Sequence, residues 1–335
     1  MIEARGLAKR FTAAKQTVEA VHPLNLDVAT GELVALLGPN GAGKSTTIRM
    51  LTTLLAPTSG TAYVAGHDVL RRPRDVRLRI GCVGQGNGAG LGHRGRDELI
   101  SQGRAYGLTT AAARARAAEL IASLELQGVA DRVVSSLSGG QRRRLDVALG
   151  LVHAPQLLFL DEPSTGLDPQ NRARLVEHVR RLRADHGTTV VFTTHYLDEA
   201  DRLAERVVIV DHGRVIADDT PARLKAAHAG DRIALAFDDE RAARTAAARA
   251  GGVEGAAVER SANRVDVRVA GGARIAPRLL GEFAAHGAAA AEVEVSRPTL
   301  DDVFLNLTGR SLREESGDRA AADDGAEDEE KESAA

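Results

Sequence analysis

The octapeptide Gly38-Pro39-Asn40-Gly41-Ala42-Gly43-Lys44-Ser45 joins an apolar run, Leu33–Leu37, to a segment with helical spacing at Ile48, Leu51 and Leu55. Glycines at these intervals let backbone N–H groups close around a polyphosphate, and a helix N-terminus adds partial positive charge. Lys44 is long enough to reach the β- and γ-phosphates of a nucleotide, and the Ser45 hydroxyl can sit on Mg²⁺, with Thr46 in the same first turn. The strand–loop–helix setting is the one that such a phosphate loop needs.

A phosphate loop also needs a carboxylate for its metal. Leu157-Leu158-Phe159-Leu160 ends on Asp161 and Glu162, at the carboxyl end of a predicted strand, where doubly wound sheets bind ligands. Asp161 is the candidate for the Mg²⁺ shell, and Glu162 for polarising the attacking water. Just upstream, Leu137-Ser138-Gly139-Gly140-Gln141 opens a helix, a second N-terminus able to hold an anion.

These three motifs, in this order, closely resemble the signature of ATP-binding cassette proteins. The resemblance extends to Gln85 after Ile80–Val83, where the family has its lid glutamine, and to Ser164-Thr165-Gly166-Leu167-Asp168, which matches its D-loop. His195 after the Thr189–Thr194 run matches the switch histidine, and Phe11 the aromatic that stacks on adenine. The likeness implies ATP and Mg²⁺ as cofactors. Phe11, residues Gly38 to Thr46, Ser138 to Gln141 and Asp168 would surround the nucleotide; Ser45, Gln85 and Asp161 the metal. Glu162, His195 and Gln85 would act in hydrolysis, with helix dipoles and Lys44 supplying the charge that an arginine finger gives elsewhere. It also implies a head-to-tail homodimer, each ATP held between one chain's phosphate loop and the other's Ser138–Gly140.

The elements that must position these groups alternate between strand and helix up to about Lys225, with Gly139–His153 and Pro169–His186 as helices and Leu157–Leu160, Thr189–Thr193 and Val207–Val210 as buried strands. Such alternation predicts an α/β fold with a mostly parallel sheet covered on both faces. With the family likeness, the expected fold is a P-loop NTPase cassette with an N-terminal antiparallel β-subdomain around Ile2–Leu7 and Leu24–Val28 and a helical signature subdomain. The expected domains are a cassette over 1–228 and a small α+β accessory domain over 229–309, with strands at Ile233–Phe237, Arg264–Val269 and Ala291–Val295. Residues 310–335 form an acidic tail expected to be disordered.

Composition bounds the function. Of 335 residues, 27% are charged and only 3% aromatic, so the core must come from Leu, Val, Ile and Ala. The single cysteine, Cys82, excludes an internal disulfide framework and fits a reducing compartment. No apolar run approaches the length of a membrane span, and the first residues lack a secretory apolar segment. Ser311–Ala335 holds ten acids and three bases, a net of −7, so the overall −2 leaves the first 310 residues at +5. No Lys/Arg stripe interleaves with aromatics, so no nucleic-acid partner is expected.

One cassette argues against double-cassette factors, and the lack of sustained heptads between Lys44 and Ser138 against coiled-coil chromosome ATPases. His195-Tyr196-Leu197-Asp198-Glu199-Ala200-Asp201, Asp211-His212-Gly213-Arg214-Val215-Ile216-Ala217 and Arg297-Pro298-Thr299-Leu300-Asp301-Asp302-Val303-Phe304-Leu305 resemble daunorubicin-resistance drug-export ATPases, a likeness spanning about residues 1–309. It implies export of a drug or other hydrophobic compound through a separate polytopic permease, with this chain peripheral on the cytoplasmic face of the membrane. The alternative is a cassette ATPase acting in regulation or on nucleic acid.

Three features read plainly. The glycine-rich stretch Gly86–Gly92 is either a flexible surface loop or a mobile loop coupled to the membrane subunit. Arg142–Arg144 reads as a solvated helix face, and Cys82 as a small hydrophobe packed in its strand.

Overall fold

The computed structural model describes residues 1–13, 16–86 and 88–310. The acidic stretch 311–335 lies outside the described residues, as does Asn87 of the glycine-rich loop. The chain forms two compact units that part between Asp218 and Asp219.

The first unit is built on two sheets. Strands β1 (Ile2–Ala13), β2 (Gln16–Val28), β4 (Ser59–Val64) and β5 (His67–Asp68) form an antiparallel sheet in the order β2-β1-β4-β5. Strands β3 (Leu33–Leu37), β6 (Ile80–Val83), β7 (Leu157–Leu160), β8 (Thr189–Thr194), β9 (Arg206–Asp211) and β10 (Arg214–Asp219) form the second, in the order β10-β9-β3-β8-β7-β6. The pairs β6–β7, β7–β8, β8–β3 and β3–β9 are parallel. β10 returns at the edge after a two-residue turn, His212-Gly213, whose φ angles of 44° and 73° suit a tight hairpin.

Every residue of β3, β7 and β8 is buried, so β3 and β7 are apolar throughout and β8 is apolar between its terminal threonines, as a parallel sheet covered on both faces requires. Ile2, Leu24 and Val64 of the antiparallel sheet share one core cluster with Val34 and Phe159 of the parallel one and with Ile48 of the helix that follows β3. The two sheets therefore hold each other in place. Around them run α1 (Lys44–Leu51), α2 (Pro73–Arg77), α3 (Gly95–Ala105), α4 (Thr110–Ser123), α5 (Gly139–Leu151), α6 (Pro169–His186) and α7 (Leu197–Leu203). α3 packs on both α4 and α5, a helical layer that carries the Ser138 motif at its α5 end.

The second unit holds β11 (Asp231–Ala236), β12 (Ala257–Ser261), β13 (Arg264–Val269) and β14 (Glu292–Ser296), antiparallel in the order β12-β13-β11-β14. Alternate residues Ile233, Leu235, Val265, Val267 and Val269 face α9 (Glu240–Ala250) and α10 (Gly272–Ala285), meeting Ala243, Ala246, Leu279 and Phe283. Strand β12 is not among the predicted elements. Its residues are mostly exposed, so it carries no apolar alternation, and pairing with β13 around Ala262 (φ 51°) defines it instead. α8 (Pro221–His228) belongs to this unit and packs on α11 (Leu300–Thr308). No helix among the described residues is long and apolar enough to cross a membrane.

With so few aromatics, their placement is informative. Phe159, Phe192, Phe237, Phe283 and Phe304 are among the largest fully buried side chains, whereas Phe11 is 42% exposed.

Candidate active site

The loop after β3 turns on glycine. Gly43 caps α1 with φ 98°, and a Cβ there would lie 2.6 Å from the Ala20 carbonyl. At Gly38 a Cβ would meet the Val210 carbonyl at 2.0 Å, so only glycine lets the loop pass β9. No side chain caps α1. The first N–H groups of that helix, at Lys44, Ser45 and Thr46, therefore have no intrahelical partner and form the donor set of an anion cradle. Lys44 is only 4% exposed, and its ammonium donates to the carbonyls of Gly38 (2.7 Å) and Pro39 (2.9 Å). Burial pulls its pKa below the ordinary lysine value, while Glu162 and Asp161 oppose the shift.

A string of hydrogen bonds then crosses the carboxyl edge of the sheet. Gln85 Nε2 donates to Ser45 Oγ (3.2 Å), and Ser45 Oγ donates to Asp161 Oδ1 (2.8 Å). Thr193 Oγ1 donates to the same oxygen (2.6 Å) and accepts from the Glu162 N–H (2.8 Å). The phosphate loop, the β7 end, the β8 end and the loop after β6 are thus tied together at one point. The predicted metal set, Ser45, Gln85 and Asp161, is a hydroxyl, an amide and one carboxylate, hard donors suited to Mg²⁺ sharing its shell with phosphate and water. Among the described residues no group of three His, Cys, Asp or Glu could hold a metal by itself.

Glu162 stands beside this string. Its carboxylate lies 3.7 Å from Lys44 Nζ and 3.7 Å from His195 Nδ1, and accepts from Thr165 Oγ1 at 3.1 Å. His195, with Lys44 and Thr165 assisting, holds the Glu162 carboxyl below its ordinary range even though burial pushes the other way. Its backbone has φ 45°, an unusual conformation for a non-glycine residue that costs on the order of 1–3 kcal/mol and persists only where neighbours enforce it. His195 packs on Tyr196, ring centroids 4.1 Å apart.

The remaining predicted residues lie apart from this centre. Ser138 caps α5 in a capping box with Gln141, and Gly139 is exposed. No hydrogen bond among the described residues joins Ser138–Gln141 to the phosphate loop. Gly140 instead sits against Asn171, which donates to Asp168, the N-cap of α6. The signature and the D-loop therefore meet each other. Phe11 projects from β1 with Lys9 Nζ 5.2 Å from its ring centre, an exposed cationic and aromatic platform. Replacing Phe11 by Ala is expected to weaken ATP binding about 3–10-fold, the size of one aromatic contact, with Phe11→Tyr near wild type in a fluorescent-nucleotide titration.

Several functional residues escaped the sequence reading. Thr193 and Thr194 are buried polar residues closing an apolar strand at the ligand-binding edge, which is the signal that could have found them. Glu199, 2% exposed, accepts from Ser164 Oγ (2.9 Å) and Thr194 Oγ1 (2.6 Å), and burial raises its pKa. The arginine triplet is corrected outright: Arg143 and Arg144 are each 8% exposed and face inward, because α5 is covered on nearly all sides. Cys82 is also corrected. It is exposed on β6 toward a cleft of about 280 Å³, whose walls strip water from the thiol and push its pKa up to about 11.

A phosphate cradle, an acid for the metal and a second acid poised beside it at the edge of a parallel sheet define a P-loop nucleotide hydrolase. The ABC transporter family profile matches residues 21–165. The daunorubicin/doxorubicin resistance ATP-binding protein DrrA of Streptomyces peucetius is 42% identical over 96% of this chain and 97% of its own length. The linearmycin resistance ATP-binding protein LnrL of Bacillus subtilis is 34% identical over 94% of this chain and 100% of its own. Among solved structures, a dimeric ATP-binding cassette bound to ADP and Pi in a post-hydrolysis state superposes with a TM-score of 0.61 at 25% identity, covering 66% of this chain and 98% of that one. The chain belongs to the ABC transporter family, among the ATP-binding proteins of the daunorubicin/doxorubicin-resistance type. It is an ATPase subunit of an export system.

Proposed function

We propose that this chain works as a homodimer that closes head to tail on two ATP molecules and drives a separate polytopic permease, exporting a drug or similar hydrophobic compound from the cytoplasmic face of the membrane. The observation that carries the reading is the string from Gln85 through Ser45 to Asp161, which links a loop at the rim of a cleft to the metal-side groups. That cleft is lined by Gly84 and Gly86 of the same loop and by Arg77, Glu98, Gln102 and Tyr106, with Leu54 at its edge 66% exposed. We place the permease contact there.

Relatives named for resistance to daunorubicin, doxorubicin and linearmycin, and for Nod factor export, support the export of a drug or similar compound. Mg²⁺, held by Ser45, Asp161 and Gln85, would neutralise phosphate oxygens. Glu162 would take the proton of the attacking water, with His195 orienting it. The nucleic-acid alternative loses its main cationic patch, since Arg143 and Arg144 are buried. A pull-down from membranes with the Glu162→Gln protein and ATP tests the reading. Co-purification of one polytopic membrane protein is expected; nucleic acid in its place, with no membrane protein, would refute it.

A further inference from the structure

Arg143 and Asp146 lie one turn apart on α5, the helix that Ser138 opens, and both are buried. The Arg143 guanidinium spends its donors on main-chain carbonyls of two separate segments. Nη1 donates to Gly84 O (2.6 Å), the residue before Gln85. Nε donates to Pro163 O (2.7 Å), and Nη2 to Asp161 O (3.1 Å) and Glu162 O (3.3 Å). Asp146 Oδ1 accepts from the N–H groups of Gly88 (2.9 Å) and Ala89 (3.3 Å), on the far side of Gln85. One helical turn thus grips the Gln85 loop at its entry and its exit, and grips the turn that carries Asp161 and Glu162.

The chemistry of the grip is specific. A planar guanidinium presents donors in a fixed fork, which a lysine ammonium cannot reproduce. Burial lowers the Arg143 pKa, with Asp146, Asp161 and Glu199 opposing the shift. The unusual φ of Glu162 needs neighbours to enforce it: its N–H is taken by Thr193, and its carbonyl by Arg143.

We propose that Arg143 and Asp146 are positioning residues for ATP hydrolysis, locking the Gln85 loop and the Glu162 turn to the signature helix so that a shift of α5 moves both. Arg143 sets the backbone of Glu162 and the entry of the loop; Asp146 sets its exit. The inference rests on Glu162 acting as the water-polarising base, and the experiment separates the two.

Steady-state ATPase, nucleotide affinity by fluorescence, and amide hydrogen exchange are measured on full-length Arg143→Lys, Asp146→Ala and Glu162→Gln, and on Arg143→Lys combined with Glu162→Gln. Arg143→Lys is expected to lower kcat about 30-fold or more, with ATP affinity within about threefold of wild type. In the Glu162→Gln background, where single-turnover phosphate release is followed, the same substitution is expected to cost less than about threefold, because it acts through Glu162. Asp146→Ala is expected to lower kcat about 5–10-fold and to speed exchange at Gly88 and Ala89.

A folded Arg143→Lys protein with wild-type kcat, or with an equal loss in the Glu162→Gln background, overturns the proposal. If Arg143→Lys does not fold, Asp146→Ala decides, and unchanged kcat and exchange overturn it. Glu162→Gln hydrolysing at the wild-type rate would instead overturn the reading of Glu162.

Discussion

Replacing Glu162 by Gln is expected to lower the ATPase kcat by about 10²–10⁴-fold, the range for losing a positioned general base. The side chain keeps its shape and one acceptor for Thr165 Oγ1, so the loss reports chemistry rather than packing. Removing a carboxylate beside Lys44 also removes repulsion toward an incoming triphosphate, so ATP is bound but not consumed. Size-exclusion chromatography with ATP should show the variant accumulating as a dimer while the wild type returns to monomer. A wild-type turnover rate would show that another group activates the water.

The pH dependence has a definite sign. Glu162 titrates below its ordinary range in the free protein, so it remains a carboxylate as pH falls through the usual glutamate value. The acid limb of kcat/KM is therefore expected below that range. The stability that the pairing contributes is present above the unfolded pKa and is lost only as pH falls through the lower, folded one. A kcat/KM profile with its acid limb near neutrality would contradict the assignment.

The second large effect is at Lys44. Lys44→Ala is expected to abolish measurable hydrolysis, a fall of about 10³-fold or more, and to weaken ATP binding, because no other cationic side chain is placed in the loop itself. Stability should change much less. The ammonium is buried at a desolvation penalty, so its loss relieves that penalty while releasing the bonds to Gly38 and Pro39. Calorimetric titration with ATP, set beside a thermal melt, separates the two effects. An unfolded Lys44→Ala protein would show that the lysine is chiefly structural; the isosteric Lys44→Met provides the control.

Much of the site was legible because its chemistry is local. A phosphate loop is one continuous octapeptide, and Asp161 with Glu162 ends one apolar strand, so sequence order alone places both at the same sheet edge. Gln85 and His195 also follow strands, β6 and β8, but their roles were legible only through the family resemblance. Arg143 was not legible, because a basic triplet gives no sign of which face of α5 is covered. Burial depends on α3, β6 and the turn after β7 arriving from distant parts of the chain. The same holds for Thr193, whose neighbours in space are Asp161 and the Glu162 N–H, 32 and 31 residues away.

By itself the sequence determined the ingredients: a nucleotide cradle at Gly38–Ser45, two acids at a strand end, a helix start at Ser138, and no span long enough for a bilayer. Those are properties of short segments, where spacing and side-chain chemistry suffice. Only the tertiary structure decided how they are coupled. It strings Gln85, Ser45, Asp161, Thr193 and Glu162 into one hydrogen-bonded line, and turns Arg143 from an expected surface charge into a buried clamp. The reason is that a parallel sheet brings strand ends together from across the chain, and a charge brought into that dry junction is held only where carbonyls meet every donor that it turns inward.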